Sequence, residues 1–190
     1  MRTKTVLTTR RLRLRTWRAS DVAPYNRNCN TSQVMDVWLG GVVSPRRLKL
    51  EVRYFQRGQE RDGYTFWVIE RKRDKAFVGF CGLIRVRERR SSVLGEVEIG
   101  WRIRADMWRK GYAEEAAVAT LKYGFAKLNC ERIISRVSPG NVASRGLMGK
   151  LGMHRAPQLD YVDPADGMRL IVYAIDRSAA RPATEPGDLT

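Results

Sequence analysis

The sequence predicts one α/β (α+β) domain in which strands and amphipathic helices enclose a single core. Three observations predict it. The 190 residues suit one domain that buries roughly 70% of its unfolded surface. Segment 96–103 alternates polar residues with β-branched and aromatic ones, as a half-buried strand does. Ala113, Ala117, Leu121 and Phe125 then recur at the three- or four-residue spacing of an amphipathic helix.

The N-terminal half predicts a strand and two helices. Segment 10–17 alternates charged and apolar residues, which indicates a first strand. Ser20 and Asp21 offer N-cap chemistry for a short helix. Ser44 followed by Pro45 marks the start of a second helix, because proline is tolerated in the first turn.

Further strands follow. Segments 64–70 and 75–84 are joined by the polar turn 71–74 and predict a hairpin. Segments 133–137 and 168–175 predict two later strands. We find no internal repeat, and we expect the domain to occupy residues 1–177. The Ala-, Pro- and Gly-containing segment 178–190 is expected to be a disordered tail.

The turn between strand 96–103 and the following helix predicts an anion site. The first turn of a helix presents unpaired amide groups and a partial positive charge. Gly111 allows close backbone approach, and Arg109 and Lys110 add charge that can reach phosphate oxygens. The alternative is an ordinary strand–helix connection with a solvated basic turn.

Four segments then share the order and spacing of a known superfamily: Glu98-Ile99-Gly100-Trp101, Trp108-Arg109-Lys110-Gly111-Tyr112-Ala113-Glu114-Glu115-Ala116, Asn141-Val142-Ala143-Ser144 and Lys150-Leu151-Gly152-Met153. Together they resemble the GNAT superfamily of N-acetyltransferases, and within it the subgroup of ribosomal-protein N-terminal acetyltransferases. Weaker similarity extends from Leu7 to Arg177. Trp108 departs from the wider superfamily, which usually has Gln or Arg three residues before the loop glycine.

The resemblance implies a GNAT-type domain with a mixed, mostly antiparallel sheet of seven strands flanked by about four helices. Strands 96–103 and 133–137 should lie parallel and splay apart at one end. Acetyl-CoA is the implied co-substrate. Its pantetheine should meet the backbones of Trp101 and Ile103, because the unpaired strand edges there need hydrogen-bond partners.

The resemblance also implies the remaining cofactor contacts. The pyrophosphate should lie on the turn and first helical residues, namely Arg109, Lys110, Gly111, Tyr112, Ala113 and Glu114. The side chains of Glu114 and Glu115 should point away from it, because carboxylates repel phosphate. Asn141 should contact the pantetheine arm, and Ser144 the departing sulfur or a CoA amide; each also suits the capped first turn of a helix.

Superfamily members let an amine attack the thioester directly, so a base, an oxyanion stabiliser and a leaving thiolate are needed. Glu98 is the first candidate for the base, because it matches a superfamily glutamate and shares a strand face with Glu96. Two carboxylates on one face raise one of their pKa values. The alternative is a strand carboxylate paired with an arginine. Asp160 is the second candidate, and Ser144 is the candidate acid in place of the tyrosine that many members use.

Composition bounds the partners. The chain has 36 basic and 20 acidic residues and a net charge of +16, which suits an acidic substrate surface, RNA or a ribosome. The three cysteines lack a Cys-x-x-Cys pair and favour the cytoplasm. The sequence predicts no metal and no membrane segment. We expect an amine acceptor such as the N-terminal peptide of a ribosomal or other protein. The sequence leaves open a homodimer, another acyl group such as succinyl, and a non-catalytic CoA sensor or RNA-binding module.

Overall fold

The computed structural model describes residues 3–36, 41–163 and 167–179, which form nine strands and five α-helices. The strands are β1 (Thr5–Thr8), β2 (Leu12–Arg15), β3 (Phe66–Arg71), β4 (Phe77–Arg85), β5 (Val97–Ile103), β6 (Arg132–Val137), β7 (His154–Arg155), β8 (Tyr161–Val162) and β9 (Arg169–Asp176). The helices are α1 (Val22–Cys29), α2 (Ser32–Met35), α3 (Pro45–Asp62), α4 (Tyr112–Lys127) and α5 (Val142–Lys150).

The sheet runs in the order β1-β2-β3-β4-β5-β6-β9-β7, with β8 paired to β9. Its pairs are antiparallel except for the parallel pair β5–β6. The mixed, mostly antiparallel architecture and the β3–β4 hairpin are therefore confirmed. The prediction of seven strands and about four helices omits short elements: β7 and β8 have two residues each and α2 has four. Elements this short contain no hydrophobic period.

Local sequence fixes both ends of α3, and the start of the helix is where it was expected. Ser44 caps the helix by accepting a hydrogen bond from the Arg47 amide, and Pro45 occupies the first turn. Gly63 ends it in the left-handed conformation at φ 78°. The predicted tail begins at a 3-10 turn, Arg177–Ala179, and lies outside the described residues from 180 onwards.

The sheet opens between β5 and β6. Strand β5 pairs with β4 along its whole length, from Gly79↔Ile103 to Arg85↔Val97. In the described part of the chain, β5 meets β6 at one register position, Glu98↔Ile134. Beyond Glu98, no residue of the described ranges pairs with the β6-facing edge of β5, which leaves backbone groups that need another partner. The predicted splay of the parallel pair is confirmed.

The two faces of β5 meet different cores. Ile99 and Ile103 pack with residues of α4 such as Ala117 and Leu121. The alternate residues Glu98, Gly100 and Arg102 face the other side, where a Cβ on Gly100 would come within 2.7 Å of the Phe66 ring. That face carries an aromatic core of α1, α3, β3 and β4. Strand β5 therefore reaches the gap with one apolar face and one polar face.

Candidate active site

A cavity of about 700 Å³ lies between the end of β5, the start of α4 and the first turns of α5. Nine of the predicted cofactor residues line it: Trp101, Ile103, Arg109, Gly111, Tyr112, Ala113, Glu114, Asn141 and Ser144. The described lining residues do not include Lys110, Glu98 or Asp160. The lining includes three basic residues, Arg102, Arg109 and Lys150, and one acidic residue, Glu114.

The start of α4 presents free amides to this cavity. Gly111 precedes the helix at φ 74°, and Arg109 also has a positive φ of 57°. Among the described residues, no side chain caps this helix start, so its first-turn N–H groups are available to a ligand. Aligned peptide dipoles add partial positive charge there. The local conformation is therefore that of an anion cradle.

Arg11, in the turn between β1 and β2, holds this loop from behind. Its backbone N–H and its Nε donate to the Glu115 carboxylate at 2.7 and 2.5 Å. Its Nη1 donates to the Lys110 carbonyl at 2.9 Å, and its guanidinium lies 4.6 Å from the centre of the Tyr112 ring. A Cβ on Gly111 would come within 3.2 Å of Arg11 Nη2. One side chain therefore sets the loop and adds positive charge behind it.

The acidic and basic side chains of the turn divide between two sides. Glu115 is held away from the cavity by Arg11 and by the hydroxyl of Thr9, at 2.6 Å, whereas Glu114 is a lining residue. Glu115 thus points away as expected, and the orientation of the Glu114 carboxylate stays a prediction. Lys110 donates from Nζ to the Asp106 carbonyl at 2.7 Å, and it is Arg109 that lines the cavity.

Aromatic and apolar side chains form the rest of the cofactor wall. The Trp108 indole N–H donates to the Ile103 carbonyl at 2.7 Å, so this backbone acceptor already has a partner within the chain. Tyr112 is buried, and its hydroxyl accepts from Arg71 Nη1 at 3.3 Å. That hydrogen bond lowers the pKa of Tyr112.

Asn141 caps α5 at the opposite wall. Its Oδ1 accepts from the Ser144 amide at 3.0 Å, and the residue is 5% exposed. The cap fixes the first turn of α5, so Ser144 is held at the cavity wall. Asn141 therefore caps α5 and also lines the cavity where a contact with the cofactor was predicted.

Glu98 is bound in an ion pair rather than poised beside another carboxylate. Arg136 donates to its Oε2 from Nε and Nη2 at 3.0 and 2.5 Å. Glu96 pairs separately with Arg132. Glu96 and Glu98 therefore contact different guanidinium groups, and Arg136 also lies 3.5 Å from Glu88. Burial lowers the pKa of Arg136, but the charge and hydrogen bonds of Glu98 raise it overall.

Asp160 is likewise fixed by an arginine. Arg155 meets both carboxylate oxygens, at 2.8 and 2.7 Å, and the Val172 amide donates to Oδ1 at 2.9 Å. The bond from Arg155, the largest influence, lowers the pKa of Asp160. A carboxylate stabilised in this way is a weak proton acceptor. Asp160 instead connects the segment before β8 to β9 through the Val172 amide.

Arg102 lines the cavity and also contacts residues of α1 and α3 on the other face of the sheet. Its side chain is 2% exposed, donates from Nη1 to the Tyr25 hydroxyl, and lies 3.5 Å from Glu51 on α3. Tyr25 in turn donates to Glu51 at 2.8 Å. Burial raises the pKa of Tyr25 well above its usual value. This cluster sets the position of α1 and α3 beside the cavity, where Val34 of α2 also forms part of the wall.

Sequence reasoning missed several of these residues. Arg11 and Arg136 lie 104 and 38 residues from their carboxylate partners, and no local period indicates such pairings. Leu147 and Lys150 also line the cavity, and they follow Ser144 at steps of three residues along α5. Helical spacing from Ser144 was therefore the signal that could have identified them.

Two of the three cysteines are deeply buried. Burial raises the pKa of Cys29 and of Cys81 to about 12, which leaves both thiols protonated near neutral pH. Cys130 is half-buried. Over residues 3–36, 41–163 and 167–179, no group of three or more His, Cys, Asp or Glu side chains is arranged to hold a metal ion. No helix in those ranges is long and apolar enough to cross a membrane.

This fold and cavity define an acyltransferase-type architecture, and comparison with known families assigns it. The family model described as "Acetyltransferase (GNAT) domain" matches residues 11–154. The chain belongs to the GNAT acetyltransferase family and is an acetyltransferase enzyme. The "Uncharacterized protein YkkB" of Bacillus subtilis is 34% identical over 155 residues, covering 81% of this chain and 88% of that protein.

Solved structures share the fold. The "Acetyltransferase from Agrobacterium tumefaciens str. C58" superimposes with a TM-score of 0.78 at 24% identity, covering 90% of this chain and 94% of that one. "Mycobacterium smegmatis RimJ in complex with CoA-disulfide" superimposes with a TM-score of 0.68 at 20% identity, covering 88% and 82%. These are similarities of fold.

Proposed function

We propose that the enzyme transfers the acetyl group of acetyl-CoA to an α-amine, such as a protein N-terminus, by direct attack in a ternary complex. The observation that carries this proposal is the cavity in which the uncapped start of α4 faces the gap between β5 and β6. We also propose residues 1–177 as the extent of the domain and the cytoplasm as its location, which its free cysteines suit.

The residues present fit acetyl-CoA. The amides from Arg109 to Glu114 would hold its diphosphate, with Arg109 as an exposed cation beside it and Arg11 on the other side of the loop. The free edge of β5 at Trp101 would bond the pantetheine amides. RimJ, which shares this fold, was solved in complex with CoA-disulfide, and this supports a CoA thioester as the co-substrate. The bound co-substrate supplies a thioester carbonyl as electrophile and a thiolate of pKa ~8.5 as leaving group.

The leaving group and oxyanion need hydrogen-bond donors. Ser144 stands in the first turn of α5, where the Asn141 cap fixes its backbone, and its hydroxyl would donate to the sulfur. Burial keeps Cys29 and Cys81 protonated, so these thiols do not suit an acyl-cysteine intermediate. Their state supports attack by the amine itself.

The acceptor follows from the weakness of the candidate bases. Glu98 is tied to Arg136, and the pKa of Asp160 is lowered by Arg155. An α-amine of pKa ~7.7 is about one-third neutral at pH 7.4, whereas a lysine amine of pKa ~10.4 is about 0.1% neutral. The neutral fraction of a lysine amine is thus roughly 300-fold smaller. Without a strong base in the site, a lysine substrate would react slower by about that factor. The site therefore favours α-amines.

Matched peptides test the proposal. One peptide has a free α-amine and acetylated lysines, and its counterpart has a blocked N-terminus and one free lysine. We expect acetyl-CoA-dependent turnover of the first to exceed that of the second by at least 100-fold at pH 7.4, with mass spectrometry locating the acetyl group. Preference for lysine would overturn the α-amine assignment. CoA binding without turnover of any peptide or small amine would favour a sensor, and faster turnover with succinyl-CoA would reassign the acyl group.

A further inference from the structure

A row of four cations runs along the solvent face of α3: Arg46, Lys49, Arg53 and Arg57, here termed the basic track. All four side chains are exposed. Their spacing of three or four residues places about one positive charge on each helical turn, over about 16 Å of helix. The track lies outside the cavity described above and has no part in the proposed chemistry.

The basic track is left without neutralising partners. Several arginines elsewhere in the fold are paired, for example Arg15 with Asp21 and Arg155 with Asp160. Within the described ranges, none of the four track residues lies within ion-pair distance of a carboxylate. Two of the carboxylates of α3 are engaged elsewhere: Glu51 contacts Arg102 and Tyr25, and Asp62 binds Arg61 and Arg87. Glu60 lies beyond the end of the track.

Helix stability does not account for this arrangement. The first turn of α3 contains no acidic residue, although the helix dipole disfavours cations such as Arg46 there. Like charges three or four residues apart also repel, and the row contains three such successive pairs. A polyanion lying along the helix would relieve both penalties.

We propose that the basic track binds the phosphate backbone of single-stranded RNA. The row is narrow and follows one line, which suits a single strand. Three of its four members are arginine, whose guanidinium binds phosphate through two parallel N–H bonds. Tyr54, 41% exposed beside the row, offers an aromatic surface on which a base can stack.

Fluorescence anisotropy with a labelled 20-nucleotide oligouridine tests the inference, using the full chain over a series of salt concentrations. The test variant is Arg53→Gln with Arg57→Gln. The matched control is Lys122→Gln with Lys127→Gln, which removes two exposed cations from α4. Because each phosphate contact contributes about −0.7 to the log–log salt slope, we expect the test variant to reduce that slope by about 1.4. Its Kd at low salt should rise at least tenfold, while the control binds like the wild type.

Further measurements identify the ligand class. Acetylation of a short peptide should stay within twofold of the wild type in the test variant, because the track is outside the cavity; this separates failure of the RNA inference from failure of the proposed function. Equal loss in the control would reduce the effect to net charge and overturn the proposal. So would binding of polyglutamate or phosphatidylserine vesicles as tight as that of RNA, or an absence of RNA binding at low salt.

Discussion

Arg136 grips a single oxygen of Glu98 from two nitrogens, at 3.0 and 2.5 Å, just past the position where β5 and β6 pair. The guanidinium also donates to the Tyr161 hydroxyl at 2.6 Å. Side chains from β5, β6 and β8 thus meet at the point where the strands diverge. The ion pair connects β5 to β6 on the face opposite α4. Glu98, the residue that matches a superfamily glutamate, is therefore held in an ion pair.

The first prediction concerns this ion pair. Glu98→Gln alone should destabilise the fold by about 3–5 kcal/mol, because it removes the nearer carboxylate of a buried guanidinium and leaves it with Glu88, which is 3.5 Å away and 41% exposed. The side chains of Glu98 and Arg136 are 9% and 11% exposed. Replacing both, with Glu98→Gln and Arg136→Gln, should restore most of the stability, measured by urea unfolding. The acidic limb of kcat/KM should persist in the double variant, because the acceptor amine causes it. Loss of that limb would return Glu98 to the role of base.

The second prediction tests the anion cradle. Gly111→Val should raise the KM for acetyl-CoA at least tenfold, because a β-branched residue resists φ 74° and its Cβ crowds Arg11. Gly63→Val is the control, since Gly63 has φ 78° with open space around it and lies at the end of α3. The control should lose stability yet keep its KM. An unchanged KM in Gly111→Val would refute the cradle.

The third prediction concerns the side chain behind the loop. Arg11→Gln should raise the KM for acetyl-CoA about tenfold, equivalent to about 1.4 kcal/mol, with a smaller effect on kcat, because the loop loses its anchor to Glu115. Arg13→Gln provides the comparison: it lies in the neighbouring strand, is 46% exposed and approaches Glu70 only to 3.9 Å. Initial-rate kinetics should separate the two. Equal KM values in both variants would assign Arg11 a purely structural role.

The fourth prediction separates the two roles of Asn141. Aspartate caps helices as well as asparagine does, so Asn141→Asp should retain the stability of the wild type, whereas Asn141→Ala should lose about 0.5–2 kcal/mol. Both variants should raise the KM for acetyl-CoA, because each lacks the amide group. Thermal unfolding and kinetics on the same samples distinguish the effects. A wild-type KM in Asn141→Asp would mean that Asn141 only caps the helix and does not contact acetyl-CoA through its amide group.

The fifth prediction follows from the pKa of Asp160. Because folding lowers this pKa, the folded state favours the ionised form, and the resulting stability is present above the unfolded pKa near 3.8. It is lost as the pH falls through the lower folded value. Asp160→Asn should therefore cost stability at pH 7 and progressively less below pH 4, as urea unfolding at both pH values would show. If kcat instead collapsed without loss of stability, Asp160 would be the base.

Periodicity and turn residues made much of the fold predictable. The alternation in β5, the stripe of α4 and the ends of α3 at Ser44 and Gly63 are local properties of the chain. The place of Gly111 at the start of α4 was predictable for the same reason. In these places the nearest neighbours in sequence decide the conformation.

The roles of the acidic residues were not predictable in this way. Whether Glu98 is a base or an ion-pair partner depends on Arg136 in another strand, and Glu115 depends on Arg11 in the first hairpin. These contacts exist only after the sheet forms. The same holds for β7 and β8, which are strands because β9 lies beside them.

The narrow junction of β5 with β6 makes the sheet two leaves, β1–β5 and β6–β9, joined along a seam that runs through the cavity. A ligand bound in that seam acts as a staple between the leaves. Since it binds the assembled seam and not the unfolded chain, it adds about 2.7 kcal/mol of stability at a hundredfold excess over its Kd. If acetyl-CoA binds there as proposed, the stability of this enzyme is coupled to the occupancy of its cavity, and proteases should cut the protein fastest when the co-substrate is scarce.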